Sequence, residues 1–388
     1  MATMDPTPIQ LDIYRTAIPM RSFEHAAATR DVAEAIVVRL ELSDGTVGWG
    51  ETLPREYVTG ETLETVAADI ENVLWPALPG GYPDGKDLPD SGPAGRCINA
   101  ARCAVELARF DAWGRYTVGR RGPDSGPGRP FPRVKVTGVI GSSDPARTSR
   151  RLRMMRLFGL TDFKLKLGLG EDVDAENLRI VSRRIGKAVV GGKCTLRVDV
   201  NGAWHVDETP DRVAVLAAYG VCVVEQPTAV EAGTLAELAQ RCDLPLMADE
   251  SMVTIADADT LIEEGARGAK KVWLNVRLSK NGGLWPARSI VEAAVEAGVP
   301  FVIGCMVGES SILSAAQRHL VWCAGRVRYV EGNYGRFLLA DDLVRRSLRF
   351  GYGGRLGPPK CREGAGLGVE IDPARLQRYG RLVKALRA

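Results

Sequence analysis

The 388-residue chain lacks the features that would send it to a membrane, a nucleic acid or an oxidising compartment. No apolar stretch approaches the roughly 18–20 residues that a spanning helix needs. The opening MATMDPTPIQLDIYRT carries Asp5, Pro6 and Pro8 where a secretion signal would want an apolar run, so the chain reads as cytoplasmic. The eight cysteines (97, 103, 194, 222, 242, 305, 323 and 361) include no C-x-x-C pair, which argues against a zinc site or a disulfide framework. Several, such as Cys222 in Val221-Cys222-Val223-Val224, sit in apolar runs and read as buried free thiols. An excess of one charge is missing too. Lys and Arg number 51 against 48 Asp and Glu, a net +3, with no basic run that would track a phosphate backbone or an anionic surface. What remains is a small-molecule partner, and the slight basic balance favours an anionic one.

At this length, with 45% hydrophobic residues, one large domain plus a smaller one is expected. Up to about residue 130, alternating apolar residues (Ile9, Leu11, Ile13, then Ile36 to Leu42) flank the turn signal Asp44-Gly45 and predict strands. Helical periodicity follows at 61–78 and 98–114. Two Gly/Pro-rich stretches, 79–95 and 119–130, offer few apolar residues to pack and read as mobile surface loops. From about residue 133, β-branched runs at 134–140, 162–167, 194–200, 221–225, 246–248, 271–276, 301–303 and 327–330 alternate with helical segments. Eight strands alternating with helices predict an α/β fold of the (β/α)₈-barrel kind at 131–355. An α+β capping domain at 1–130 would be completed by the tail at 356–388. A doubly wound sheet needs no eighth strand and wants a Gly-rich first turn, which is absent.

Catalytic groups in such a barrel sit at the C-terminal ends of the strands. In Phe163-Lys164-Leu165-Lys166-Leu167, alternation sends both lysines to one side. In a confined interior each ammonium disfavours the other's charge, which would lower one pKa and leave a usable base. Asp199 closes the third strand, Glu225 the fourth, and Asp249 with Glu250 the fifth. A single strand-end acid commonly caps the next helix. Three at successive ends repel one another unless a cation lies between them, and all-oxygen ligands select a hard divalent ion, Mg²⁺ before Mn²⁺. Lys280 follows the sixth strand in Ser279-Lys280-Asn281-Gly282-Gly283. Strand six lies across the barrel from strand two, so Lys280 is expected to face Lys166.

In order, Lys164-x-Lys166, Asp199, Glu225-Gln226-Pro227, Ala248-Asp249-Glu250-Ser251, Lys280-x-Gly282-Gly283 and Gly304-x-Met306-x-x-Glu309-Ser310 resemble the muconate-lactonizing-enzyme subgroup of the enolase superfamily. Val47-Gly48-Trp49-Gly50-Glu51 and Gly366-Leu367-Gly368 extend the resemblance to the first lobe and the tail. It implies a capping lobe over the barrel, Mg²⁺ on Asp199, Glu225 and Asp249, and Lys166 and Lys280 on opposite faces of a carboxylate substrate. Lys164 would neutralise that carboxylate, with Asn201 and Glu250 supporting the ligands. A homo-oligomer is implied as well.

The superfamily's branch with a His–Asp dyad is excluded by position: of His25, His205 and His319, none ends the seventh strand. His25 falls where the resemblance places a loop over the substrate, and joins Tyr57, Glu309 and Glu331 as a substrate-contact candidate. Dipeptide epimerases of the subgroup carry Asp-x-Asp after the eighth strand to hold an ammonium; Glu331-Gly332-Asn333 matches only half of it and lies nearer the cycloisomerase pattern. The expected activity is that of a muconate cycloisomerase-like isomerase. A racemase or epimerase of N-acyl amino acids, dipeptides or betaines, or an o-succinylbenzoate-synthase-like dehydratase, is the alternative. A Schiff-base lyase using Lys166, or a binding barrel without catalysis, would leave the acid and lysine set without a purpose.

Overall fold

The computed structural model describes residues 5–25, 28–78, 80–81, 85, 87–121, 130–267, 271–360 and 366–388. The alternating N-terminal segments form strands β1 (Pro8–His25), β2 (Ala28–Leu42) and β3 (Val47–Thr52) of an antiparallel sheet. Between β2 and β3 the chain turns at Gly45, φ 85°, with the Asp44 carboxylate accepting from Thr46 N at 3.0 Å. One face of the sheet buries Leu11, Ile13, Ile36, Val38 and Leu40. Against it lie α1 (Leu63–Asp69), which continues as a π turn over Ile70–Leu74, and the long α2 (Asn99–Arg121). The latter outruns the helix expected at 98–114, because Trp113 and Tyr116 carry its buried face beyond Gly114.

α2 approaches β3 very closely. It presents Ala101, Ala104, Ala108 and Ala112 to the sheet, and β3 answers with Gly48 and Gly50. A Cβ on Gly50 would stand 1.9 Å from the Ala104 carbonyl oxygen, and one on Gly48 would stand 2.2 Å from Ala108 O and Ala112 N. The glycines of Val47-Gly48-Trp49-Gly50 are therefore required by a backbone-to-backbone contact. The stretch at 79–95 is less loose than its composition suggested. Leu88 is buried, Arg109 donates to Asp87 at 2.7 Å and 2.8 Å, and Arg102 pairs with Asp90. Residues 122–129 lie outside the described part.

Seven parallel strands follow: β4 (Gly138–Ile140), β5 (Asp162–Lys166), β6 (Thr195–Asp199), β7 (Val221–Glu225), β8 (Leu246–Ala248), β9 (Val272–Val276) and β10 (Phe301–Ile303). Each is hydrogen-bonded to the next in chain order. The intervening helices are α3 (Pro145–Leu157), α4 (Glu171–Val190), α5 (Thr209–Ala217), α6 (Ala232–Gln240), α7 (Ile255–Arg267), α8 (Leu284–Ala297) and, after β10, α9 (Ser311–Ala324). The eighth strand expected at 327–330 is reduced to single parallel bridges from Val330 to Ile303 and to Val136. Positive φ at Gly332, Asn333 and Gly335 turns the chain away before a ladder can lengthen. The first strand is shortened for a related reason: Val136 N bonds Gly354 O while Thr137 N bonds Val330 O, so the segment divides its pairing between two partners. Side chains of Val223, Met247, Trp273, Val302 and Tyr329 pack together within the curl of the sheet, beneath the polar groups described below.

The tail returns through α10 (Pro373–Tyr379) to strand β11 (Gly380–Arg387), which pairs antiparallel with β1. Two buried carboxylates fasten the lobes together. Glu51 on β3 accepts from Ser310 N, Ser310 Oγ and Leu313 N at 2.7–3.1 Å, and Glu106 on α2 accepts from Leu284 N and Trp285 N at 2.7–2.8 Å. Each thus satisfies the open amides at the start of a helix that packs on the parallel sheet, α9 and α8 respectively. Among the described residues no helix is long and apolar enough to cross a membrane, and the described cysteines are free thiols; Cys361 lies outside.

The glycine contact is testable. Gly50→Ala should destabilise the protein by about 1–3 kcal/mol through overpacking. Gly233→Ala in α6, where an added Cβ meets nothing within 4 Å, should be neutral or mildly stabilising. Equal urea-unfolding midpoints for the two variants would contradict the close approach.

Candidate active site

Strand alternation brings the predicted polar residues to one place. Lys164 and Lys166 are Cα neighbours of Arg197 and Asp199 in the β5–β6 register, and Asp199 pairs with Glu225 in β6–β7. Asp199, Glu225 and Asp249 are wholly buried. Lys166 Nζ donates to Asp199 Oδ2 at 2.6 Å and to Asn201 Oδ1 at 2.8 Å, and Asn201 Nδ2 reaches Glu250 Oε1 at 3.2 Å. Lys164 Nζ donates to both Glu225 oxygens at 3.1 Å and to Glu331 Oε2 at 2.6 Å, and stands 3.3 Å from Asp199.

These neighbours set the charges. Burial alone would depress the Lys164 ammonium, but the carboxylates of Glu225, Glu331 and Asp199 outweigh it and hold its pKa above the ordinary lysine range. Two ammonium groups side by side are expected to weaken each other's charge; enclosure by acids reverses that for Lys164. Asp199 shows the converse, with burial opposed and overcome by Lys166 and Lys164, which keep it well below the usual carboxylate range. Glu331 resists burial through Lys164 and Arg197 and is held at about 2. Glu225 and Glu250 are pushed up, by burial first and then by Asp199.

Above this layer opens a cavity of about 310 Å³. Lys164, Lys166, Asn201, Glu250 and Glu331 line its polar end, with Glu309 and, from the capping lobe, Tyr57. Val139, Phe158, Leu160, Phe337 and Phe350 make an apolar wall. Glu309 accepts one hydrogen bond, from Met306 N at 2.6 Å, and burial pushes its carboxyl up to about 8, so it is mainly uncharged at neutral pH. The side chain of His25 lies outside the described residues. His205 is exposed. His319 is structural: its ring lies 5.3 Å from Phe110, edge-on, and burial lowers its pKa to about 4.

Lys280 is not on the cavity wall. It is fully buried, with Nζ bonded to Asp249 O (2.7 Å), Asp249 Oδ1 (3.0 Å) and Asn275 O (2.7 Å), and burial, then the Arg277 charge, pushes its pKa well below the ordinary lysine range. Arg277 lines the cavity instead and bonds Asp249 and Glu225. Alternation through Trp273, Asn275 and Arg277 gives the reason. All three project to the interior of the sheet, whereas Lys280 belongs to the turn after the strand.

Two further residues escaped the sequence argument. Arg197 shares its strand face with Asp199; it is fully buried, pairs with Glu331 at 3.0 Å and lies 4.4 Å over the Tyr329 ring. Gln226, at φ 35°, turns its carboxamide to accept from Asp249 N (2.9 Å) and Ser251 N (3.1 Å), and so fixes the backbone from which Asp249 projects.

The three acids are close but bridged. Lys164 spans Asp199 and Glu225, Arg277 spans Glu225 and Asp249, and among the described residues no three such side chains form a ligand cluster as they stand. Their chemistry nevertheless fits a hard divalent ion. All donors are oxygens on adjacent strand ends, and Glu250 Oε2 beside them is buried with no partner.

Comparison with known proteins agrees with this architecture. The family described as "Mandelate racemase / muconate lactonizing enzyme, N-terminal domain" matches residues 9–118, and "Enolase C-terminal domain-like" matches 147–375. The chain is 28% identical over 381 residues to N-succinyl-L-Arg/Lys racemase of Bacillus cereus, covering 95% of this chain and 96% of the relative. It is 30% identical over 360 residues to muconate cycloisomerase 1 of Rhodococcus opacus, covering 91% and 92%. The crystal structure of the B. cereus racemase superposes with a TM-score of 0.82 at 27% identity, over 98% of this chain and all of the other. The muconate lactonizing enzyme of Pseudomonas fluorescens complexed with muconolactone gives 0.82 at 25% identity, over 97% and 100%. The chain therefore belongs to the mandelate racemase/muconate lactonizing enzyme family of the enolase superfamily.

Proposed function

We propose that this chain is a Mg²⁺-dependent isomerase that moves a proton at the carbon next to a substrate carboxylate, with one lysine serving one face, as in a cycloisomerase. The observation that carries the reading is the cavity wall. Lys166 stands on one flank, and the group contributed by the sixth strand is Arg277, while Lys280 is held below by three acceptors. An arginine stays protonated at any pH the protein tolerates, so it can hold negative charge but cannot take a proton from carbon. Racemisation by two opposed bases needs such a group on both flanks. Lactone formation or opening needs it on one.

Asp199, Glu225 and Asp249 would hold the ion, whose positive charge would draw electron density toward the substrate carboxylate oxygens. Lys166 would carry the proton to or from the α-carbon, as acid or base according to direction. Asn201 would orient its Nζ, and Asp199 would receive the charge that builds there. Lys164 would balance Glu225 and Glu331 and present its ammonium toward the bound carboxylate, with Arg277 closing the second flank. The single bridges of Val330 to Ile303 in β10 and to Val136, just before β4, support a closed eight-stranded barrel at 131–355 under a capping domain of 1–130 and 356–388.

Dipeptide epimerisation is disfavoured on specific contacts. Asn333 is tied to Gln317 (2.5 Å) and Arg318 (2.8 Å), and Glu331 to Lys164 and Arg197, which leaves neither for a substrate ammonium. A racemase remains the second reading, favoured by the B. cereus relative.

A panel of muconates, N-acyl amino acids, dipeptides and betaines in D₂O separates them. The expected result is a new ring, with deuterium entering from one face; exchange with inversion at the α-carbon would assign the racemase instead. Lys166→Ala should lower kcat roughly 10³-fold, and unchanged turnover would defeat the mechanism. EDTA should abolish activity and Mg²⁺ restore it, whereas a Schiff-base lyase would keep working in EDTA and be trapped by borohydride. Arg277→Lys should raise exchange at the second face above the wild-type background, and no change there would count against the role given to Arg277.

A further inference from the structure

We infer that Glu331 is the counter-anchor of Lys164: it keeps that ammonium in place when Asp199 and Glu225 turn to a metal ion, and so sets how tightly the ion is held. This rests on the metal site proposed above and adds a residue that positions the site from outside the ligand set.

The need for an anchor follows from the charges. Lys164 Nζ is bonded to both oxygens of Glu225 at 3.1 Å and stands 3.3 Å from Asp199 Oδ2. It therefore occupies the negative field that two of the three proposed ligands would offer a divalent ion. Like charges a few ångströms apart repel strongly where water is scarce, so ion and ammonium cannot both draw fully on these oxygens. Lys164 is itself buried and cannot answer by turning to solvent. An ammonium displaced within a buried layer has to keep an acid beside it.

Glu331 supplies that acid from the other side. It follows Val330, whose bridge to Val136 places it on the β4 side of β5, whereas Asp199 and Glu225 close β6 and β7 on the opposite side. Its Oε2 accepts from Lys164 at 2.6 Å, a shorter contact than any that the ammonium makes to the proposed ligands. Its Oε1 accepts from Arg197 Nη2 at 3.0 Å, and the same Nη2 donates to Thr137 Oγ1 at 2.8 Å. The main chain is pinned too: Glu331 N donates to Ile303 O at 2.9 Å, and Gln317 Nε2 donates to Glu331 O at 2.9 Å. The carboxylate is thus held from behind and cannot follow Lys164 toward the ion. Arg197 gives its bonds to Glu331 and Thr137, while its Nη1 stops 4.0 Å short of Glu225 Oε2 and has no hydrogen-bond partner. Glu225 is in this way left for other partners.

The test is calorimetric titration of Mg²⁺ alone into the full-length wild type, Glu331→Gln, Lys164→Met and the double variant, so that no turnover is needed. With the anchor neutral, the ammonium falls back on Asp199 and Glu225, and Glu331→Gln should weaken Mg²⁺ binding about tenfold or more, the size of a charge-assisted contact. In the Lys164→Met background the same substitution should change the affinity little, because the group it anchors is gone. Mere loss of a nearby negative charge would weaken binding equally in both backgrounds. That result would overturn the inference, as would a Glu331→Gln protein that binds Mg²⁺ like the wild type. Should Glu331→Gln fail to fold, the Mg²⁺-loaded wild-type crystal structure decides. Lys164 Nζ is expected to keep Glu331 and to part from at least one of Glu225 and Asp199; an ammonium still bonded to both, or released from Glu331, contradicts the inference. A wild type that takes up no Mg²⁺ would remove the metal site and the anchor together, whereas Mg²⁺ binding indifferent to Glu331 removes the anchor alone.

Discussion

Three carboxylates buried at the ends of neighbouring parallel strands are the constraint around which the rest of this molecule is arranged. An ion of this size taken out of water costs several kcal/mol, on the order of 20 in the idealised limit, unless opposite charge is built in beside it. The chain supplies that charge largely from the strands on either side. Lys164 and Lys166 come from β5, Arg197 from β6, and Arg277 and Lys280 from the end of β9 and its turn. Each buried acid has at least two of these partners, so removing one cation would weaken its compensation without abolishing it. The apolar cluster of Val223, Met247, Trp273, Val302 and Tyr329 beneath makes the requirement stricter, since it gives the charges nowhere to relax downward.

The same requirement divides labour among the cations. Lys164 is enclosed by acids and is a fixed positive charge; Lys166 touches one carboxylate and one carboxamide and faces the cavity. Arg277 combines permanent charge with a cavity-facing position, and Lys280 has a lysine's chemistry but no access. Under the proposed function, what limits the reaction is therefore which cations face the cavity, not how many the site contains.

Much of this was legible from residues alone. The 2-residue period of β5, the acids closing β6, β7 and β8, and the Asp-Gly turn of the cap need only local rules, and the structure brings the predicted residues together. Register was the harder matter. Lys280 stands in a Lys-x-Gly-Gly string in the turn after β9, and counting inward positions from Trp273 adds Arg277, which lines the cavity. Arg197 was concealed in an apolar run whose alternation already placed it beside Asp199. Other features depend on distant chain that no local pattern reveals: Leu88 packed under an otherwise polar stretch, and the eighth strand curtailed by positive φ at Gly332 and Asn333. The Gly-x-Gly of β3 was read only as a likeness, and its cause, the backbone of α2 lying against it, is tertiary.

A crystal structure grown with Mg²⁺ and a carboxylate ligand tests the central claim most directly. The account predicts one ion shared by Asp199, Glu225 and Asp249, with Lys166 Nζ and the Arg277 guanidinium on opposite sides of the ligand and Lys280 still bonded beneath Asp249. An ion bound away from those acids, or Lys280 rather than Arg277 against the ligand, would contradict it.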